Sequence, residues 1–273
     1  MKIHLSTIIL VLILIIGLSL LLYPSFSNWW NDLHQTKAIA NYEEIMANMS
    51  DEDYSHLFEA AKEYNEALAK MDYPLMYYAE VPGYNDLLNV TGSGIMGHIS
   101  IEKIDVHLPI YHGTGEAVLQ IAVGHMEGSS LPTGGEGTHC VLSAHRGLPS
   151  ARLFTDLDKM EVGDTFVLSV IDLTMTYQVD QIMIVEPHQV DSLYVVPGED
   201  YCSLVTCTPY GINSHRLLVR GTRVENEKQL ADIRITTDAT LIKPVLVAPF
   251  VAAPILLVLF INLMLPKKKG RNE

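Results

Sequence analysis

Cys207, His145 and Arg216 are of the types and in the order that a thiol acyl-transfer site requires. Cys207 closes the apolar run Leu204-Val205-Thr206-Cys207, His145 ends Ser143-Ala144-His145 upstream, and Arg216 follows downstream. A thiolate attacks carbonyl carbon well and a thiol poorly. Such a site therefore needs one group to manage protons and another to stabilise the oxyanion. An imidazole can protonate a departing amine. A guanidinium can donate charged hydrogen bonds to a developing oxyanion or to a substrate carbonyl. Each residue alone has an ordinary reading. Cys207 could be a core cysteine, His145 one of eleven histidines in a loop or core, and Arg216 a solvated charge. The case rests on the combination and its flanks.

The elements that must position these residues read as short strands. From Gly97 onward, residues 97–101, 106–111, 138–143, 165–171, 175–185, 201–206 and 216–224 are strand candidates separated by turns such as Gly134-Gly135-Glu136-Gly137. This spacing predicts a β-sandwich or barrel. Strand alternation puts Cys202 and Cys207 on opposite faces, so they should not pair. With only one further cysteine, Cys140, the chain has no disulfide framework. Cys140 and Cys202 read as small buried hydrophobes. Before the strands, residues 34–72 read as two helices joined near Ser50, where Ser50 and Asp53 form a capping signal. Tyr54, Leu57, Phe58, Ala61, Tyr64 and Leu68 make one apolar stripe suited to core packing. Residues 72–94, with Pro74, Pro82, Gly83, Gly92 and Gly94, read as an irregular connection.

No metal or organic cofactor is expected. His125, Cys140 and His145 follow one another, but alternating faces and the lack of a fourth ligand argue against a metal site. The turn at 134–137 lacks the Lys-Ser/Thr of a phosphate-binding loop.

The chain ends set the expected compartment. Residues 5–22 are almost all aliphatic, close to the roughly 20 residues that cross a hydrocarbon core. Tyr23, Trp29 and Trp30 follow where aromatic rings favour the interface. A cleaved signal peptide is the competing reading, but the run is long and no clear A-x-A site follows it. A second uncharged apolar run covers residues 244–266 and precedes Lys267, Lys268, Lys269 and Arg271. The positive-inside rule then predicts cytoplasmic termini and an external middle. The net charge is −14; with +1 from Lys2 and +3 from the tail, the middle carries −18. An acidic middle argues against nucleic-acid binding.

The flanks of the three residues are more specific than their spacing. Leu204-Val205-Thr206-Cys207-Thr208-Pro209-Tyr210-Gly211 with His215-Arg216-Leu217-Leu218-Val219-Arg220-Gly221 resembles the signature of sortases, membrane-anchored cysteine transpeptidases of Gram-positive bacteria. Ser143-Ala144-His145-Arg146-Gly147-Leu148-Pro149 is similar to the family's histidine segment. Leu108-Pro109-Ile110-Tyr111-His112-Gly113, Gly124-His125-Met126-Glu127-Gly128-Ser129-Ser130-Leu131-Pro132, Phe154-Thr155-Asp156-Leu157-Asp158 and Val196-Pro197-Gly198-Glu199-Asp200-Tyr201 extend the likeness across the strand-rich region. The flanks and the second apolar segment look most like class C, the pilin-polymerising branch.

The resemblance implies a mainly β fold: an eight-stranded sortase barrel with a helical N-terminal segment and transmembrane helices at both ends. The expected organisation is an anchor at 1–24, a helical segment and connector at 25–96, the catalytic barrel at 97–225, a linker at 226–243, a transmembrane helix at 244–266 and a basic tail at 267–273. By matching position, Cys207 is the nucleophile, His145 the general acid/base and Arg216 the carbonyl or oxyanion donor. Thr206, Ser143 and His125 are expected substrate contacts, with a hydrogen-bonded structural role the other reading of His125. The implied substrate is an LPXTG-type sorting signal of a pilin or surface protein, cleaved between Thr and Gly and passed to a pilin lysine amine. Attachment to peptidoglycan is the enzymatic alternative, and a non-catalytic barrel that binds pilin tails is the alternative from another class. Papain-like peptidases, which place Cys before His, do not fit the chain order. Class C enzymes commonly carry a lid with an Asp-Pro-aromatic motif. Here Asp72-Tyr73-Pro74 holds those types in a different order, so residues 72–78 are expected to form either a lid based on Asp72 and Tyr73 or a plain connector.

Overall fold

The structure, a computed structural model, describes residues 5–226. The expected linker from residue 227 onward, the second transmembrane helix at 244–266 and the basic tail lie outside the described residues.

The first described element is helix α1, Leu5–Met46, which joins the expected anchor segment and the first of the two expected helices into one element of 42 residues. Its N-terminal part is apolar all round, so Leu12, Ile13, Ile16, Leu20 and Leu21 are exposed. Among the described residues it is the one helix long and apolar enough to cross a membrane. Its C-terminal part is one-sided: Ile39, Tyr42 and Met46 are buried against the barrel. The Tyr42 hydroxyl donates to Met96 O at 2.8 Å and accepts from Ile171 N at 2.8 Å. Helix α2, Asp51–Leu68, follows a short turn. Ala61, Tyr64 and Leu68 of its stripe are buried and Tyr54, Leu57 and Phe58 pack against the same core, as the spacing predicts. A four-residue helix α3, Pro74–Tyr77, is the first ordered turn of the connection that follows.

Eight strands form a closed barrel in the order β1-β2-β3-β4-β7-β8-β6-β5. They are β1 Ile95–Ile101, β2 Val106–His112, β3 Val123–His125, β4 Thr138–Ser143, β5 Thr165–Val170, β6 Leu173–Val185, β7 Asp200–Thr208 and β8 His215–Val224. Closure removes the free sheet edges that an open sheet presents. A short helix α4, Glu116–Leu119, bridges β2 and β3. Most pairs are antiparallel, but β2–β3 and β4–β7 are parallel. The β4–β7 pair brings Cys140 opposite Cys202 and Ser143 opposite Val205. The main core lies inside the barrel and includes Ile99, Ile110, Leu142, Phe154, Phe166, Leu204 and Val219. Cys140 and Cys202 are buried in it as free thiols. Burial and its Cys140 neighbour push the Cys202 thiol well above its usual range.

Candidate active site

Strand alternation decides which way each site residue points. On β7, Cys202 and Leu204 belong to the interior core and Thr206 is buried. Cys207 therefore faces outward with Val205, and it is half-buried where Cys202 is sealed. On β8, Leu217 and Val219 belong to the interior, which leaves Arg216 and Leu218 on the outer face. Cys207 and Arg216 are direct partners across β7 and β8. Cross-strand partners on one face stand about 5 Å apart at Cβ, within reach of a guanidinium. The Arg216 side chain is held by backbone carbonyls: its Nη1 donates to His215 O at 3.1 Å and Asn213 O at 3.3 Å.

His145 reaches the same end of the barrel by a different route. It follows β4, which runs parallel to β7 with Ser143 opposite Val205. His145 lies two residues past the end of β4 and Cys207 two residues past Val205, so both stand at the same end of the barrel. Two bonds fix that register beyond the strand end. Ala144 N donates to Val205 O at 3.2 Å. The Thr206 hydroxyl donates to Ala144 O at 2.8 Å. The His145 carbonyl accepts from Phe154 N at 3.1 Å, anchoring the loop beyond it. Its Nε2 lies 3.8 Å from Glu116 Oε2, at the start of α4. Glu116 had no sequence signal, because the contact joins the β2–β3 and β4–β5 connections.

Thr206, expected at the substrate, is instead turned inward and braces the histidine strand. Ser143 is half-buried, on the outer face with Val141 and in line with the site. His125 differs most from the expectation of a substrate contact. It is fully buried. Its Nε2 donates to Ser130 O at 2.8 Å, which leaves Nδ1 as acceptor for the Tyr84 hydroxyl at 2.9 Å. Both ring nitrogens are used inside the barrel, so His125 has the structural role. His139, on the outer face of β4, is likewise occupied. Its Nδ1 donates to Tyr194 O at 3.0 Å and its Nε2 accepts from Ser203 Oγ at 2.8 Å.

The neighbouring arginines are committed elsewhere. Arg220 pairs with Asp180 through two bonds, at 2.6 and 3.1 Å, and stacks over Tyr201. Arg223 lies over Tyr177. Arg146 pairs with Asp158, lies over the Tyr210 ring and reaches Thr208 Oγ1 at 3.4 Å, bracing the strand end beside Cys207. Among the described residues no group of His, Cys, Asp and Glu could hold a metal ion.

A second apolar cluster lies on the outer face, on the Cys207 side of the wall. Val141, Val205, Leu218 and Leu193 form it, with Met126, Met183, Val185 and Val190 packed around them. Leu75 of α3 enters the same cluster. The segment sits directly on Gly128, where a Cβ would fall 2.5 Å from Pro74 O and 2.7 Å from Leu75 Cα. Asp72 and Tyr73, the expected basis of a lid, are exposed. Of their neighbours, Pro74 is buried and Leu75 packs against the outer-face cluster. Nothing in a single sequence pairs Leu75 with strands so far downstream.

A barrel face carrying a half-buried thiol, a guanidinium on the paired strand and an imidazole at the same end can perform nucleophilic acyl transfer. Comparison with known proteins points the same way. A family model described as the Sortase domain matches residues 99–224. Sortase A of Streptococcus agalactiae serotype III (strain NEM316) is 31% identical over 117 residues, 42% of this chain and 47% of that protein. The chain thus spans about half the length of that curated relative. The crystal structure of sortase C1 from Streptococcus agalactiae superposes with a TM-score of 0.66 at 51% identity, covering 70% of this chain and 100% of that one. Sortase C-1 from Streptococcus pneumoniae gives 0.63 at 43% identity, covering 70% and 100%.

Proposed function

Because the chain belongs to the sortase family, and to class C by its structural neighbours, we propose that it is a cysteine transpeptidase of pilus assembly. Its substrate is an LPXTG-type sorting signal. The observation that carries this reading is the cross-strand pairing of Cys207 with Arg216 beside the β4 end that bears His145.

In the reaction, the Cys207 thiolate attacks the carbonyl carbon of the Thr-Gly bond. The oxyanion accepts hydrogen bonds from Arg216. As the C–N bond breaks, His145 gives its proton to the departing glycine nitrogen, and a thioester remains on Cys207. A pilin lysine amine then attacks the thioester carbonyl. His145 takes the amine proton, the C–S bond breaks, and Cys207 leaves as thiolate. The product is an isopeptide bond, and both enzyme groups return to their starting protonation.

Residues 72–78 act as a lid in this reading, with Leu75 occupying apolar surface that a substrate side chain would need. The apolar part of α1 anchors the enzyme in the membrane, with the barrel on the outer side.

Intact-mass spectrometry of the barrel with LPXTG-type peptides tests the chemistry. An adduct that lacks the glycine portion, and is lost in Cys207→Ala, is the expected result. Adding pilin lysine peptides then resolves the adduct if the acceptor is pilin. Resolution only by peptidoglycan amines would replace pilus assembly with wall anchoring. Retained sorting-peptide binding with no adduct would make the barrel a binding module.

A further inference from the structure

The way α1 meets the barrel sets the direction in which the site opens. Residues 5–22 span about 27 Å at 1.5 Å per residue, nearly the depth of a hydrocarbon core. Tyr23, Phe26, Trp29 and Trp30 then present half-exposed rings, as side chains do in a headgroup layer. The next contacts are with the barrel. Ser27 Oγ donates to Ser150 O at 3.0 Å, and Asn31 Nδ2 donates to the same carbonyl at 2.6 Å. Ser27 and Asn31 stand roughly 6 and 12 Å along the helix from Tyr23, at or just above the headgroups.

Ser150 lies in the loop that follows His145. That loop touches the β7–β8 loop, because Gly147 packs against the Tyr210 ring: a Cβ at Gly147 would fall 2.8 Å from it. The β7–β8 loop, residues 209–214, carries no charge in a chain of net charge −14. It nevertheless exposes Tyr210 at 61% and Ile212 at 72%. These two apolar side chains sit at the catalytic end of the barrel, joined through one loop to the segment of α1 that leaves the membrane.

We propose that the tip of the β7–β8 loop, Tyr210 and Ile212, rests in the headgroup layer of the bilayer that α1 spans. The Cys207 cleft then opens along the membrane surface, and its substrates are polypeptides lying on that surface. This inference rests on the reading of α1 as a membrane anchor. An uncharged tip enters the interface without the desolvation cost of a buried charge, and the acidic remainder of the barrel is held away from it.

The test uses the full chain in phosphatidylcholine liposomes, in a Cys207→Ala background. An environment-sensitive fluorophore is placed at Ile212→Cys or, as control, at Glu136→Cys in the turn at the opposite end of β4. Lipids carrying a spin label in the headgroup region are the quencher. The expected result is loss of fluorescence at 212 and none at 136. Equal quenching at both positions, or none at 212, overturns the proposal. Quenching at 212 that arises only when a sorting peptide is added, without labelled lipid, would make the loop a protein-docking surface and would also overturn it. The same fluorophore at Leu14→Cys, with lipid spin-labelled deep in the acyl chains, separates the two readings. No quenching at 14 removes the α1 anchor, whereas quenching at 14 with none at 212 refutes the loop placement alone.

Discussion

Arg216 and Cys207 are fixed by one strand pair, so a change at either should act on chemistry more than on folding. Arg216→Ala should lower the rate of acyl-enzyme formation by about 10²–10³, the usual cost of losing an oxyanion donor. Arg216→Lys should not restore it, because an ammonium lacks the planar fork of a guanidinium. Single-turnover mass spectrometry reads both. Glu116 lies 3.8 Å from the His145 ring but is largely exposed, and exposed pairs contribute little. Glu116→Gln should therefore slow turnover only about 2–5-fold, the rate equivalent of up to 1 kcal/mol. A loss comparable to that of Arg216→Ala would mean that Glu116 takes part in proton transfer. Short flanking motifs singled out Cys207, His145 and Arg216 in the sequence, and the structure brings them to one end of the barrel. Glu116 was not singled out, since a loop-to-loop contact leaves no periodic trace. The inward turn of Thr206 could have been anticipated from alternation, given that Cys207 must face the substrate.

At the scale of elements, the segment at Pro74–Tyr77 and the outer apolar cluster make opposite demands on the same space. Leu75 is half-buried there, so Leu75→Asp should weaken closure by about 1 kcal/mol or more and raise the rate of Cys207 alkylation several-fold. A change beneath the Pro74–Tyr77 segment gives an independent check. Gly128 has φ +85°, and a Cβ there would press into the backbone of Pro74 and Leu75. Gly128→Ala should cost about 1–2 kcal/mol from its left-handed backbone and should also lift the segment. Faster alkylation of Cys207 in both variants supports a lid; unchanged alkylation in both returns residues 72–78 to a connector. The strands show what periodicity can and cannot reveal. Alternation located the longer strands, but β3 has only three residues, all buried, and shows no alternation to detect. Strand β7 runs through Thr208, past the expected end at Thr206, because its pairing with β8 holds Cys207 and Thr208 in the ladder. The outer apolar cluster was invisible, since it exists only where β4, β6, β7 and β8 are already assembled.

At the scale of the whole molecule, the packing of α1 on the barrel carries a pH dependence. His98 on β1 is largely buried between Glu43 of α1 and His107 of β2, with its Nε2 3.9 Å from Glu43 and the two imidazole rings 5.1 Å apart. Burial, then the neighbouring His107, pushes His98 down to about 4 from 6.5. Burial also lowers His107 and raises Glu43. A histidine lowered on folding binds more protons in the unfolded chain, so its stabilisation is complete above pH 6.5 and is lost as pH falls toward 4. Glu43 acts in the opposite sense, favouring the folded state once protonated, and partly offsets the loss. The melting temperature should fall between pH 6.5 and 4, and His98→Asn should flatten that slope. An equal slope in both proteins would place the acid sensitivity elsewhere. Strand spacing alone left a sandwich or a barrel open; the family resemblance supplied the eight-stranded barrel that the structure has. The order of strands depends on β8 inserting between β7 and β6, a pairing between segments separated in the chain. That insertion also has a consequence in time. In synthesis from the N-terminal end, His145 appears before Cys207, and Cys207 appears before Arg216. Until β8 arrives, one edge of β7 is open and the thiol has no guanidinium beside it. The pairing that sets Cys207 beside Arg216 is therefore completed only by the last strand of the barrel to be made.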